Sequence, residues 1–238
     1  QDIASADYNL DTVSINLGDG FGGFYLASQI EVGLNPYAIA AGDFNKDGFT
    51  DIATANFNSD EVSVRLGDGT GNFSGLTEVS VGDGPGSITV GDFNGDGKPD
   101  LAVAGNSTMT VYLNTSSPSG ILSFSSTYSN NTGGSTSAYM STGDFDGDGK
   151  PDIVCANIGS NNMAVFQNNS TSGSLSLSSA YTFSTNSQPH MALAIDVDGD
   201  TKPEIVSCNY NANTISVYRN SLKNTEPTTA PTSLSLTN

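Results

Sequence analysis

Four acidic loops of one pattern punctuate the chain at nearly constant spacing. They begin at Asp43, Asp92, Asp144 and Asp196, set 49, 52 and 52 residues apart. The first three read Asp-Phe-Asn/Asp-x-Asp-Gly-x-x-Asp, and the fourth is a degraded copy, Asp196-Val-Asp-Gly-Asp-Thr-Lys-Pro-Glu204. A single such segment could be a solvated acidic turn. A series at fixed period is instead the signature of a repeat architecture in which every unit carries the same loop.

The spacing within each loop points to metal chemistry. Oxygens at positions 1, 3 and 5 of a tight loop converge on one point, a backbone carbonyl at position 7 adds a donor, and a carboxylate at position 9 closes the cage. Glycine at position 6 permits the sharp turn. Oxygen donors without Cys or His select a hard cation, and a flexible loop with many ligands favours Ca²⁺ over Mg²⁺. The first site then comprises Asp43, Asn45, Asp47, Asp51 and the carbonyl of Phe49, and the second Asp92, Asn94, Asp96, Asp100 and the carbonyl of Lys98. The third comprises Asp144, Asp146, Asp148, Asp152 and the carbonyl of Lys150. The fourth comprises Asp196, Asp198, Asp200, Glu204 and the carbonyl of Lys202; it departs from the pattern at Thr201, in the glycine slot, and at the longer Glu204. Three to four Ca²⁺ ions are expected, with the third site tightest and the fourth weakest.

Short runs of small and β-branched residues flank each loop. Ala38-Ile-Ala-Ala-Gly42 and Ser87-Ile-Thr-Val-Gly91 precede loops, and Asp51-Ile-Ala-Thr-Ala, Asp100-Leu-Ala-Val-Ala, Asp152-Ile-Val-Cys-Ala and Glu204-Ile-Val-Ser-Cys follow them. These runs are too short for helices and read as strands, so the loop is a strand-to-strand connection. A third strand follows in each repeat, at Val62–Leu66, Thr110–Leu113, Ala164–Gln167 and Thr214–Tyr218. A glycine-rich turn comes next, clearest in Leu17-Gly-Asp-Gly-Phe-Gly-Gly-Phe24 and Leu66-Gly-Asp-Gly-Thr-Gly-Asn-Phe73, and then a less regular fourth strand. Four strands in roughly 50 residues make one blade of a β-propeller.

The Gly-Asp-Phe-Asn-x-Asp-Gly-x-x-Asp pattern with its Leu-Gly-Asp-Gly-x-Gly-x-Phe turn resembles the FG-GAP/VCBS repeats of integrin α-subunit-like β-propellers, from about residue 2 to residue 220. The resemblance implies an all-β propeller of four-stranded antiparallel blades braced by structural calcium, with recognition elsewhere on the surface. Asp2-Ile-Ala-Ser-Ala aligns with Asp51-Ile-Ala-Thr-Ala, and the last repeat stops after its third strand at Tyr218, giving about four and a half blades. Family propellers more often have about seven, which would take roughly 350 residues. A fragment of a longer protein is the favoured expectation, beside a small closed ring or completion by a neighbouring chain. Residues 1–221 form the repeat region, and 222–238 a Pro/Thr-rich linker or the start of a following domain, with Thr232–Thr237 patterned as a strand.

Charge narrows the partners. The formal net charge is −18, but fourteen of the 25 acidic residues are proposed ligands. Four bound Ca²⁺ would leave about −10. Only 7 Lys and Arg are present, without a basic cluster, so nucleic acid is a poor partner. No apolar run approaches a membrane span. Loops of this kind fill at extracellular calcium levels, which predicts a secreted or cell-surface protein.

Catalysis has little support, and no enzyme activity is expected. The single histidine, His190, occupies a repeat slot held elsewhere by Tyr37, Gly86 and Ala138. Cys155 and Cys208 read as small buried residues, a disulfide between them being the minority reading. Sequons stand at Asn72, Asn106, Asn114, Asn130, Asn168 and Asn169, weak signals in a chain rich in Asn, Ser and Thr. The leading expectation is an extracellular binding or adhesion module presenting loops to a protein or glycan. The alternatives are a structural subunit that assembles with other copies of itself by sharing strands or blades and, less favoured, a polysaccharide lyase-type propeller.

Overall fold

The strands that follow the first three acidic loops are covered on both faces, and this explains their composition. In Asp51–Asn56 and Asp152–Asn157 each residue is buried. A one-sided sheet would alternate apolar and polar residues; strands sandwiched between neighbouring sheets instead carry small and β-branched residues throughout.

A computed structural model describes residues 1–117, 121–134 and 137–220. The described residues form five sheets in which consecutive strands are neighbours. The first holds β1 (Ile3–Asp7), β2 (Thr12–Gly18) and β3 (Phe24–Glu31). The second holds β4 (Pro36–Gly42), β5 (Asp51–Asn56), β6 (Glu61–Gly67) and β7 (Phe73–Ser80). The third holds β8 (Pro85–Gly91), β9 (Asp100–Gly105), β10 (Thr108–Asn114) and β11 (Phe124–Asn131). The fourth holds β12 (Ser137–Gly143), β13 (Asp152–Asn157), β14 (Asn162–Phe166) and β15 (Tyr181–Ser184), and the fifth β16 (Pro189–Ile195), β17 (Glu204–Asn209) and β18 (Thr214–Tyr218). Three four-stranded blades between two three-stranded sheets match the repeat count read from sequence. Residues 221–238, with the expected linker and the Thr232–Thr237 strand, lie outside the described residues.

The chain divides into two compact units. One comprises Gln1–Val90, Lys98–Asn106 and Thr110–Thr127; the other comprises Gly91–Gly97, Ser107–Met109 and the described residues from Tyr128 onward. In the first unit, Val13, Ile15 and Ile30 of the first sheet pack with Ile52 of the second. Ala53, Ala55, Val62 and Val64 on the second sheet's other face pack with Ile88, Leu101, Val103 and Tyr112 of the third. The second unit repeats the scheme, with Val154, Ala156, Met163 and Val165 against Ala192, Ile205 and Tyr218. Each buried Val, Ile or Met contributes about 1.5–3 kcal/mol.

The glycine of Gly-Asp-Phe is set by this packing. A Cβ on Gly143 would lie 2.8 Å from the Cβ of Ala194 on the next sheet's inner strand, and one on Gly42 would lie 3.1 Å from Val90. In the fifth sheet that slot is Ile195, which is exposed. Its companions Met191, Leu193, Ile215 and Val217 are exposed too. The strand registers make Met191, Leu193, Ile215 and Val217 the counterparts of Ala38, Ala40, Val62 and Val64, which pack in the second sheet's core.

One sequence reading, the burial of both cysteines, is corrected. Cys155 is buried but Cys208 is exposed, and neither forms a disulfide. The sequons at Asn114 and Asn168 are unavailable for glycosylation, because both side chains are buried and their amides are hydrogen-bonded inside the sheets. Among the described residues no helix is long and apolar enough to cross a membrane.

Candidate metal centre

Position 1 organises each loop. Asp43 accepts the N–H groups of Asp47 and Gly48, both at 3.0 Å. Asp92 accepts those of Asp96 at 3.0 Å and Gly97 at 2.7 Å. Asp144 accepts from Gly147, Asp148 and Gly149, and Asp196 from Gly199 and Thr201. These amides, Gly199 foremost, hold the Asp196 carboxyl below its usual range. Folding three amides towards one carboxylate requires left-handed backbone. Gly48, Gly97 and Gly149 have φ of 90°, 84° and 85°, and Thr201, in the same slot, has φ 73°. A β-branched residue is strained there, as its departure from the pattern predicts. Position 4 is left-handed as well, including Lys46 at φ 62°, a requirement the ligand spacing does not reveal.

Carboxylates converge in two loops. One oxygen each from Asp144, Asp146 and Asp152 lie within 4.8 Å of one another, and the same holds for Asp196, Asp198 and Glu204. Oxygens sharing a Ca²⁺ at 2.3–2.6 Å must lie within roughly 5 Å of one another, so both trios fit such a cation. Position 5 stands outside them. Asp47, Asp148 and Asp200 each turn Oδ1 onto the N–H two residues ahead, of Phe49, Lys150 and Lys202. Asp148 also pairs with the Lys150 ammonium at 2.7 Å. In the first loop Asn45 takes position 3, and its amide donates to Asp47 at 2.8 Å. In the second, Asn94 likewise donates to Asp96, and Lys98 reaches the carbonyl of Ser116 at 2.9 Å. Gln167 donates to Asp146, and Arg219 lies 3.6 Å from Asp198.

Position 9 does more than its place in the ligand pattern foretold. Asp51 accepts the N–H of Phe44 at 2.8 Å and that of Gly67 at 2.9 Å. Asp152 accepts those of Phe145 at 2.9 Å and Asn168 at 2.7 Å; Glu204 accepts those of Val197 and Asn220. Asp100 accepts from Asn114 at 2.8 Å, and Asp2 from Gly18 at 3.0 Å. The closing carboxylate therefore pins the loop's second residue to the end of the third strand. Burial is the largest influence on Asp51 and Asp152, raising both, and Asp152 is pushed up to about 7 against the downward pull of its two N–H partners.

Three asparagines complete the arrangement. The Asn114 amide donates to the carbonyls of Phe44 and Pro99, that of Asn168 to Phe93 and Pro151, and that of Asn220 to Phe145. Each joins its own sheet to the loop of the preceding one. The signal in sequence is the recurrence of Asn at, or two residues past, the end of the third strand in three successive repeats, a slot held earlier by Gly18 and Gly67.

No curated protein matches the chain. Among solved structures, one similar to it is a proposed 6-phosphogluconolactonase of Bacteroides fragilis NCTC 9343, with TM-score 0.65, 14% identity, and coverage of 91% of this chain and 62% of that one. The periplasmic gluconolactonase PpgL of Pseudomonas aeruginosa gives TM-score 0.59 and 16% identity over 79% of this chain and 52% of that. BBS1N, solved in complex with ARL6DN, gives 0.57 and 16% over 88% and 54%. The chain thus spans between about half and two thirds of these structures. The likeness is one of fold, that of β-propeller blades. The model of the FG-GAP-like repeat matches three times in succession, at residues 43–103, 92–155 and 144–207, so that each match runs from one acidic loop through the next. With more than half of its length so matched, the chain belongs to the FG-GAP-like repeat family.

Proposed function

We propose that the chain is a calcium-stabilised binding or adhesion module that works outside the cytoplasm and presents its turns to a protein or glycan, without catalysis of its own. The observation carrying this reading is the pair of carboxylate trios, Asp144/Asp146/Asp152 and Asp196/Asp198/Glu204, each buried at its closing member and spaced as a shared hard cation requires. The same closing residues hold the ends of the third strands, so a cation at the loop would stiffen the blade. Carboxylates committed to bracing and metal are unsuited to acid–base work.

Calcium titration by calorimetry, paired with melting in calcium and in chelator, tests the reading. Three to four ions bound and a melting temperature that falls on chelation are expected. An unchanged melting temperature in a sample shown to have lost its calcium would reject structural calcium. The solved lactonases supply the enzymatic counter-test: turnover of a gluconolactone by the purified chain would overturn the non-catalytic assignment. Assembly by blade contact is a second reading, favoured by the exposed Met191, Leu193, Ile215 and Val217 on the fifth sheet.

A further inference from the structure

At the end of the first two sheets remote from the acidic loop, three aromatic rings meet in the first unit. Tyr8 directly follows β1, Phe57 directly follows β5, and Tyr37 is the second residue of β4, whose other end enters the loop at Asp43. The Tyr8 and Tyr37 rings are 6.1 Å apart at 79°, and those of Tyr37 and Phe57 are 5.8 Å apart at 39°. They remain 40%, 48% and 38% exposed. Their turns are fixed by Asn35, whose N–H donates to Asp11 at 2.7 Å, whose amide donates to the carbonyl of Tyr8 at 2.8 Å, and whose carbonyl accepts the N–H of Phe57 at 3.0 Å.

The fold does not require these rings. The Tyr37 slot is Gly86 in the third repeat and Ala138 in the fourth, and the Phe57 slot is Asn106 and Ile158, yet the third and fourth sheets still place the inner strand beside the one that follows it. Burying a large apolar side chain contributes about 1.5–3 kcal/mol that a surface position forgoes in part, so stability is a poor account of three aromatics placed there. Rings recur in the same slots of the fifth repeat, where His190 and Tyr210 stand 5.0 Å apart.

The surrounding chemistry selects the ligand. Tyr8–Asp11, Leu34–Tyr37 and Phe57–Asp60 contain Asn, Asp and Ser but neither Lys nor Arg. Asn9 and Asn58 are exposed beside the rings. Rings that accept the C–H face of a pyranose, beside short amides and carboxylates that bond its hydroxyls, make a sugar site with a few placed polar groups on an apolar floor. Without a local cation, and on a chain whose net charge of −18 is still about −10 with four Ca²⁺ bound, uronates and sulfated sugars are repelled. We propose that Tyr8, Tyr37 and Phe57 form a platform for a neutral glycan. This rests on the binding-module reading above and specifies its ligand class.

The test uses the whole chain with calcium bound. The chain lacks Trp, so tyrosine fluorescence reports on Tyr8, Tyr37 and the other tyrosines without interference. Hexamers of β-linked glucose, N-acetylglucosamine, mannose and xylose are titrated alongside a galacturonate hexamer and an arginine-rich peptide. At least one neutral series should bind, with affinity falling tenfold or more in Tyr37→Ala and Phe57→Ala, near wild type in Tyr37→Phe, and calcium-dependent melting intact in all three. Binding of only the galacturonate or the peptide, no binding of any neutral hexamer, or wild-type affinity in both alanine variants would overturn the platform. If calcium still raises the melting temperature, those outcomes leave the calcium-stabilised module standing; loss of that effect would strike the module itself.

Discussion

Asp152→Asn separates the two duties assigned to a closing carboxylate. Asp152 is fully enclosed, and its two oxygens accept the N–H groups of Phe145 and Asn168 at 2.9 and 2.7 Å. Asparagine has nearly the same shape but only one acceptor, so its NH₂ must face one of those donors. One bond to a charged group is lost, about 1.5–3 kcal/mol, and a buried N–H is left unsatisfied, about 1–3 kcal/mol. Removing a buried charge returns part of this, and a net loss of about 2–4 kcal/mol remains. At ~2–4 °C per kcal/mol for a chain of this length, the melting temperature should drop by about 5–15 °C. The decisive condition is chelator at pH 8, where metal ligation plays no part. Asp148→Asn is the control, because its contacts, the N–H and the ammonium of Lys150, lie in an exposed loop; losing a surface pair of that kind costs about 0–1 kcal/mol while still weakening calcium binding. If Asp152→Asn melts with wild type in chelator and loses stability only in calcium, the residue is a ligand alone and the bracing argument is wrong.

Other expectations follow from the same contacts. Asn168→Ala removes two donated bonds and the acceptor for the N–H of Ser170, and urea melts should show a loss of about 2–4 kcal/mol, with or without calcium. Thr201→Gly relieves a left-handed β-branched residue; about 1 kcal/mol of stabilisation and tighter calcium binding at the fourth loop are expected by calorimetry, and a weaker fourth loop would contradict the strain argument. In chelator, Asp152 should impose a pH dependence. Both states are protonated below its ordinary value of 3.8, the unfolded chain alone ionises between there and about 7, and so wild type should lose stability relative to Asp152→Asn as pH rises through that window and level off above it. Paired melts from pH 4 to 8 measure the difference, and a flat difference would remove burial as the cause.

How much of this was legible in the sequence depends on the range of each interaction. The loops were legible because positions 1 to 9 are local: the amides that wrap Asp144 lie within five residues of it. The strands were legible because residues sandwiched between sheets are small or β-branched on both faces. Asn114, Asn168 and Asn220 were not, since their partners lie 70 or 75 residues away, and Asn114 and Asn168 read first as sequons. The aromatic platform was hidden for a related reason. Tyr8, Tyr37 and Phe57 are remote in sequence and meet only because the first two sheets place equivalent turns side by side.

The asparagines also change what a loop can transmit. In the second unit a hydrogen-bonded path leads from Glu204 to the N–H of Asn220, from its amide to the carbonyl of Phe145, from the N–H of Phe145 to Asp152, and from Asp152 through Asn168 to the carbonyl of Phe93. In the first unit the same path joins Asp100, Asn114, Phe44 and Asp51. Within each unit one closing carboxylate therefore reaches another, Glu204 to Asp152 and Asp100 to Asp51, through one buried Asn and the main chain of one loop residue. Fixing the carboxylate at one loop orders the N–H that positions the next, so adjacent loops share a restraint that a separate acidic turn would lack. Energetic coupling needs a physical connection whose arrangement both sites bias, and here that connection runs through the two peptide groups that flank the Cα of Phe145. One Asn at the end of a third strand is thus enough to link two successive loops within a unit.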